Sequence, residues 1–467
     1  MTKLNDISFW FDELADKTPS RQPLTAGLQV DVAIIGAGYT GLWAAYYLQQ
    51  QQPSLSIAIV EAEVVGFGAS GRNGGWLMGE VEGQRDYLEP LPPTQRQAGY
   101  DAIYDTVDEV GRVCIKEQID CDYHKGGTIY AAARYQEQLT RLKKTYDHYA
   151  TNSDKDYQWL SKTELEQHVN MRGGLAGIYT PHCAAIQPAK LAQGLAGGIE
   201  AKGVKIFEQS RVTNVTNKTI FTDHGSIKAD IIIAATEGFS DGLLNINKYA
   251  IPIQSHVIAT EPLTENQWRN IGLDNRPTFS DTSRMSTYGQ RSKDNRIVFG
   301  ARGQYEFGGK VRGKFSTQDS LFKFQKTLLV DLFPSLENTA ITHCWGGTLG
   351  MARKFRPYAI WDKTTGLANA GGYGGEGVGA SSLFARTLVD MILERDTQLA
   401  SMPWAFSNAS HQSALKKWEP EPIRWLTYKA MLAVFNWEEN VHCDNNSPPW
   451  QRSFAMKLAD SLETILS

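Results

Sequence analysis

The chain has 467 residues, well past the roughly 250–300 at which one hydrophobic core stops growing, so at least two cores are expected. Apolar residues make up 42%, charged residues 21% and aromatic residues 10%, which excludes disordered, collagen-like and disulfide-scaffold classes. A net charge of −4 gives no electrostatic basis for nucleic-acid binding.

The 42 glycines, about one residue in eleven and without a collagen period, imply places where backbone turns with positive φ or approaches something closely. Cys114, Cys121, Cys183, Cys344 and Cys443 are widely and irregularly spaced, with no CxxC and no Cys/His pairing suited to zinc. No metal site is expected, and a reducing, cytoplasmic compartment is the simpler reading. The start, MTKLNDISFWFDELADK, has acids and no apolar stretch after a basic beginning, unlike a secretory signal. No window reaches the roughly 18 uncharged apolar residues of a membrane span.

From Val30 the chain reads VDVAIIGAGYTGLWAAYYLQ, a buried parallel strand, a glycine turn and a helix. Gly36, Gly38 and Gly41 form GxGxxG where the helix opens, with Tyr39 and Thr40 between. The first glycine allows the tight turn, the second lets backbone approach a pyrophosphate, and the third lets helix pack on strand. The helix N-terminus offers unpaired N–H groups to phosphates. Ile57–Val60 forms a second strand, and Glu61, followed by Ala62, stands at its carboxyl end about 25 residues after Gly36. A carboxylate there accepts ribose hydroxyls and repels a 2′-phosphate, which favours FAD or NAD over NADP. The motif alone does not choose between flavin and nicotinamide.

The next segment, AEVVGFGASGRNGGWLMG, holds Ser70, Arg72, Asn73, Gly74 and Gly75 in a run too glycine-rich for helix or strand. It reads as a loop wrapped on a flat or phosphate-bearing ligand, Arg72 meeting a phosphate and Asn73 a polar ring edge. On these residues the chain resembles the FAD-dependent amino-acid and amine oxidoreductases of the D-amino-acid oxidase and glycine oxidase fold. GASGRNGG is similar to the branch containing γ-glutamylputrescine oxidase. The resemblance implies a loop running past the pyrophosphate and along the isoalloxazine.

Helical, charge-patterned stretches such as DAIYDTVDEVGRVCIKEQ and a strand in GGTIYAAA follow. GVKIFEQSRVTNV and DHGSIKADIIIAATEG then supply strands around a hairpin. In the family the position of Val212 binds adenine through backbone, and the turn at Ala235 and Thr236 lies near the pyrophosphate; the alternative for both is a structural sheet edge. Strand-like runs between turns fill 246 to 338. In GLANAGGYGGEGVGASSLFARTL, Gly374, Gly375, Gly377 and Val378 lead into a helix whose N-terminus, in the related enzymes, faces the flavin N1–C2=O edge.

The expected fold is therefore α/β plus α+β. A discontinuous Rossmann-type FAD-binding domain (28–80, 180–245 and 339–395) carries an inserted, mainly antiparallel substrate domain (81–179 and 246–338). An N-terminal segment (1–27) and a C-terminal helical extension (396–467) complete the chain. In the extension Ile423, Leu426, Tyr428, Met431, Leu432 and Phe435 form an apolar helix face, read as a cap on the body, with a dimer contact or a peripheral membrane face as alternatives.

On the substrate side, Arg302 is the candidate anion-binding or oxygen-facing residue, against a structural salt bridge. Trp345 is a candidate pocket wall. Glu376, among glycines at the implied flavin edge, is a candidate ammonium holder, against a solvated loop acid. His256 is a candidate proton acceptor, against a satisfied core histidine; His182 is a weaker one. Arg353 and Arg356 read as surface residues. Sarcosine oxidases of the superfamily carry flavin on a cysteine, but Cys344 is out of step with that position, nearer Thr348, so noncovalent FAD is expected. The implied activity is oxidation of the C–N bond of an amine or amino acid by hydride transfer to flavin N5, giving an imine that hydrolyses, with oxygen (forming peroxide) or another acceptor taking the electrons. The alternatives are dehydrogenation of a hydroxy acid or other CH–OH substrate, and a noncatalytic flavin-binding subunit.

Overall fold

In the computed structural model, which describes residues 4–14, 18–151, 156–240 and 242–466, the strand Gly27–Ile35 lies at the centre of a sheet, and its second half, Val32–Ile35, is buried on both faces. Val32 and Ile34 point into a helical layer with Leu42, Trp43 and Leu383. Ala33 and Ile35 point the other way, against Ala58, Val60 and Ile220. Burial on both sides explains why this strand reads as a continuous apolar run.

The sheet has nine strands, in the order Ala405–Ser407, Tyr358–Asp362, Leu367–Gly371, Ser226–Ala234, Gly27–Ile35, Ile57–Val60, Lys205–Phe207, with the hairpin Val212–Thr216 and Thr219–Thr222 attached to Ser226–Ala234. Pairing among its central strands is parallel, from Leu367–Gly371 through Lys205–Phe207. Helices Tyr39–Gln51, Pro188–Glu200 and Gly377–Ile392 cover one face.

A second sheet has eight strands, in the order Ile341–Ala352, Ala250–Thr260, Ile297–Gln304, Tyr288–Arg291, Thr278–Asp281, Thr128–Ala132, Ala176–Thr180, Gln158–Leu160. All its pairings are antiparallel except that of Thr278–Asp281 with Thr128–Ala132. Two segments depart from the expected division. Ile341–Ala352, grouped in the sequence with the flavin-binding segments, pairs along Ala250–Thr260 in the second sheet. Ala405–Ser407, expected within a helical extension, adds a parallel edge strand to the first sheet. Both are extended runs whose period does not reveal their partner.

Most of the C-terminal remainder is helical, Ile423–Cys443 packing on Pro449–Leu466. Tyr428, Met431, Leu432 and Phe435 are buried as expected, whereas Ile423 and Leu426 are each 53% exposed. Among the described residues no helix is long and apolar enough to cross a membrane.

The N-terminal segment has a definite place. Phe9, Trp10 and Phe11 are buried with Ala189, Val257 and Trp345. Trp10 Nε1 donates to Asn73 O at 2.8 Å, and Ser8 Oγ donates to Gly71 O at 2.7 Å. The Phe11 ring lies so close to Gly71 that no Cβ fits there. The short helix Phe9–Asp12 thus braces the glycine-rich loop from below. Replacing Trp10 by Ala removes a large buried ring and one hydrogen bond, a change worth about 3–5 kcal/mol. Thermal melting is expected to show that loss, together with weaker retention of flavin on gel filtration; unchanged retention would separate the brace from the loop.

Candidate active site

Gly36 has φ +101° and faces the carbonyl of Ala235, which a Cβ would approach to 2.6 Å. Gly41 is pressed on Gly36 O, leaving no room for a side chain. Gly38 caps the helix Tyr39–Gln51 without a side-chain bond, and Tyr39 N donates to Ser70 Oγ at 2.8 Å. At the end of the neighbouring strand Glu61 Oε2 accepts from Ala37 N at 2.8 Å and Oε1 from Glu63 N at 3.0 Å. Burial pushes this carboxyl up, and the two N–H groups work against that. Ala62 follows in the turn, and Ser210 N donates to Glu61 O at 2.8 Å, which brings Val212 to the same edge. The turn at Ala235 and Thr236 closes the other side of Gly36, with Ala235 N donating to Ile35 O at 2.8 Å. Thr40 Oγ1 donates to the Tyr373 hydroxyl at 3.1 Å and ties this turn to the second glycine bend.

Arg72 is buried. Its Nε donates to Phe67 O at 2.8 Å and Nη1 to Gly346 O at 3.2 Å, and the guanidinium lies 4.6 Å from the Phe67 ring centre. No carboxylate pairs with it among the described residues, and burial lowers its pKa to about 10. Such a cation fits an anionic ligand group. Asn73 is used within the loop: Nδ2 donates to Ala69 O and Ser70 O, and Oδ1 accepts from Gly75 N. Gly74 carries the Tyr288 ring, which a Cβ would meet at 2.6 Å.

Between the sheets lies a cavity of about 400 Å³. Arg72, Asn73, Gly74, Gly375, Glu376 and Val378 line one part of it. Gly374 turns with φ +60°, and Glu376 caps the helix Gly377–Ile392 without a side-chain bond of its own. The second sheet and the loop after Asp281 contribute Tyr130, Ser283, Ser286, Tyr288 and Arg302.

Four carboxylates line the cavity, Glu80, Glu82, Asp281 and Glu376, of which Asp281 is paired with Arg134 at 2.8 Å. Glu80 accepts from the hydroxyls of Tyr130, Tyr149 and Tyr157 at 3.1–3.2 Å. Burial raises Glu80, Glu82 and Glu376, and Glu376, with Glu80 and Glu82 beside it and no cation among the described residues to oppose them, is pushed well above the usual range. Arg302 pulls Glu82 back down.

Of the substrate-side residues singled out in the sequence, Arg302 and Glu376 reach the cavity, and Arg302 makes no salt bridge among the described residues: Nε donates to Arg284 O at 2.7 Å and Nη2 to Ser286 Oγ at 2.9 Å. Trp345 stands behind the wall, its Nε1 donating to Arg72 O at 2.8 Å. His256 lies away from the cavity between Phe315 and Phe322, and burial lowers its pKa to about 4. Its neighbours on an alternating strand gave no sign of which sheet face it takes. His182 stacks on Tyr104 and contacts Asp156 at 3.0 Å. Arg353, read as a surface residue, is largely buried against Trp418 and Glu419. Glu80 and Glu82 were missed, although acids at alternate positions directly after the glycine-rich loop were a usable signal.

The cradle fits FAD. It combines a glycine crossing that a Cβ would fill, an uncapped helix N-terminus, a carboxylate at the end of the second strand and a buried guanidinium without a carboxylate partner among the described residues.

The fold and this cradle define a flavin-dependent oxidoreductase. The chain belongs to the DAO family of FAD-dependent oxidoreductases, whose model matches residues 31–391, and FAD is its cofactor. Similar proteins include a probable oxidoreductase OrdL of Haemophilus influenzae, 28% identical over 404 residues (84% of this chain, 89% of that protein), and the gamma-glutamylputrescine oxidoreductase of Escherichia coli, 27% identical over 407 residues (85% and 92%). Among solved structures, glycine oxidase from Geobacillus kaustophilus superposes with a TM-score of 0.66 at 19% identity, covering 82% of this chain and 100% of that one.

A further acid, Glu237, lies beneath the second glycine bend. It accepts from Gly372 N at 3.3 Å and Tyr373 N at 3.2 Å, and burial raises its pKa to about 7 despite these bonds. Between its ordinary 4.5 and about 7 the folded chain holds a proton that the unfolded chain has lost, so this contribution to stability is full below 4.5 and disappears as pH rises through 7. Melting temperature against pH should lose part of its downward slope over that window in Glu237→Gln; an unchanged slope would assign the titration elsewhere.

Proposed function

We propose that this FAD-dependent oxidoreductase oxidises the C–N bond of a cationic amine to an imine, which water then hydrolyses, with oxygen or another acceptor taking the electrons. The observation that carries this reading is the cavity's charge: four carboxylates, one of them paired with Arg134, line it together with two guanidiniums, Arg72 and Arg302. A cavity so lined favours an ammonium group and disfavours an anionic hydroxy acid. The relative named as a gamma-glutamylputrescine oxidoreductase supports the same substrate class.

Bound flavin supplies a two-electron acceptor for the C–H bond next to nitrogen. The protein's part is to bind and orient the amine and to take its proton, because an ammonium has no lone pair to assist C–H cleavage. Glu376 is the group suited to hold that proton. Its carboxyl lacks the tyrosine donors that favour an ionised Glu80, and a neighbouring cation lets it ionise, while neutralisation of that cation returns it to the acid form. Glu82 accepts from the backbone of Gly375 and is steadied by Arg302, which keeps negative charge available for the incoming cation. His256 takes no part, since it does not reach the cavity. The flavin is held without a covalent bond at Cys344, whose side chain packs against the second-sheet cluster.

Anaerobic mixing with a panel of amines and amino acids tests the reading: bleaching of the flavin by cationic amines is expected, and no bleaching by any of them overturns it. Glu376→Gln should raise KM for those amines by about tenfold or more while leaving the flavin spectrum intact. Acid precipitation should leave the flavin in the supernatant.

A further inference from the structure

We propose that the C-terminal helix pair forms one wall of the substrate cavity and that Tyr428 limits the length of cationic chain it admits, an inference that rests on the amine reading above. The family match ends at residue 391. The helix Ile423–Cys443 therefore lies beyond the residues that the family model matches, yet Tyr428 lines the cavity.

Its placement is fixed. The Tyr428 hydroxyl donates to Gly303 O at 2.9 Å, next to Arg302, and the ring packs 6.1 Å from that of Tyr305. A ring with two rotatable bonds, pinned at its far end, presents a hard surface to whatever enters.

The wall is also tied to the loop it faces. Arg284, buried and turned away from the cavity, meets Glu438 at 2.5 Å and also pairs with Asp460 and Glu463 of the last helix. Met285 N donates to Glu439 Oε1 at 3.2 Å. Arg284 O accepts from Arg302 Nε, and Phe435 lies 5.5 Å beneath both guanidinium groups. The helix pair thereby holds the lining loop and the cavity's only described arginine besides Arg72 in one arrangement.

The test uses FAD-loaded protein and n-alkyltrimethylammonium ions of increasing chain length, read by perturbation of the flavin absorbance without turnover. Affinity should rise with chain length and then stop at a limit. Tyr428→Ala should move that limit to longer chains, the longest binding about tenfold or more tighter than to the native protein, and Tyr428→Trp should move it to shorter ones. Tyr428→Phe, which keeps the ring, should leave it in place. Flavin content and melting temperature report folding; if Tyr428→Ala does not fold, the Trp and Phe variants decide. An identical limit in every folded variant, or no binding at any length, overturns the proposal. Bleaching by primary amines is read separately. Bleaching with an unmoved limit sinks the wall and keeps the amine reading, whereas a moved limit with no bleaching keeps the wall and sinks the oxidation.

Discussion

The site depends on bare backbone meeting bare backbone at the carboxyl ends of parallel strands. Gly36 against Ala235, Gly41 against Gly36 and Gly379 against Met78 are contacts that any side chain would push apart. The last of these, and the bond from Thr40 to Tyr373, bring together segments more than 300 residues apart in sequence. Helix N-termini without side-chain caps at Gly38 and Glu376 then open toward the same region, so that the polarity of two peptide ladders is left for a ligand to use.

A second constraint is the handling of charge out of water. Arg72 has carbonyls and an aromatic ring for company, and Glu80 has three tyrosine hydroxyls. Each arrangement keeps an ionised group tolerable where a bare one would neutralise. Glu376 has no such support, and that contrast among neighbouring carboxyls distinguishes a group that anchors charge from one that exchanges a proton.

Legibility from sequence followed the range of the interactions. The strand, glycine turn and helix are local in sequence and legible as a unit that ends in Glu61 after the second strand, because each residue's reason lies within about 30 positions of it. The Gly374–Val378 bend was legible for the same reason. What sheet Ile341–Ala352 joins was not, since its pairing with Ala250–Thr260 spans a separation that period and composition do not encode. His256 failed as a candidate because a residue on an alternating strand can face either side, and here it faces aromatic rings. Tyr428 looked like one more core residue on an apolar stripe; only the contact with Gly303 shows that the stripe's edge reaches the cavity.

The helix pair that grips Arg284 lies last in the chain, after every segment that makes the cofactor cradle. During synthesis, the parts that recognise the nucleotide, which end at Val378, are therefore complete about fifty residues before Tyr428 is made, since domains form from the N-terminus onward. Assembly runs from general to particular: the holder for the family's cofactor is built first, and the wall that bears on the substrate follows.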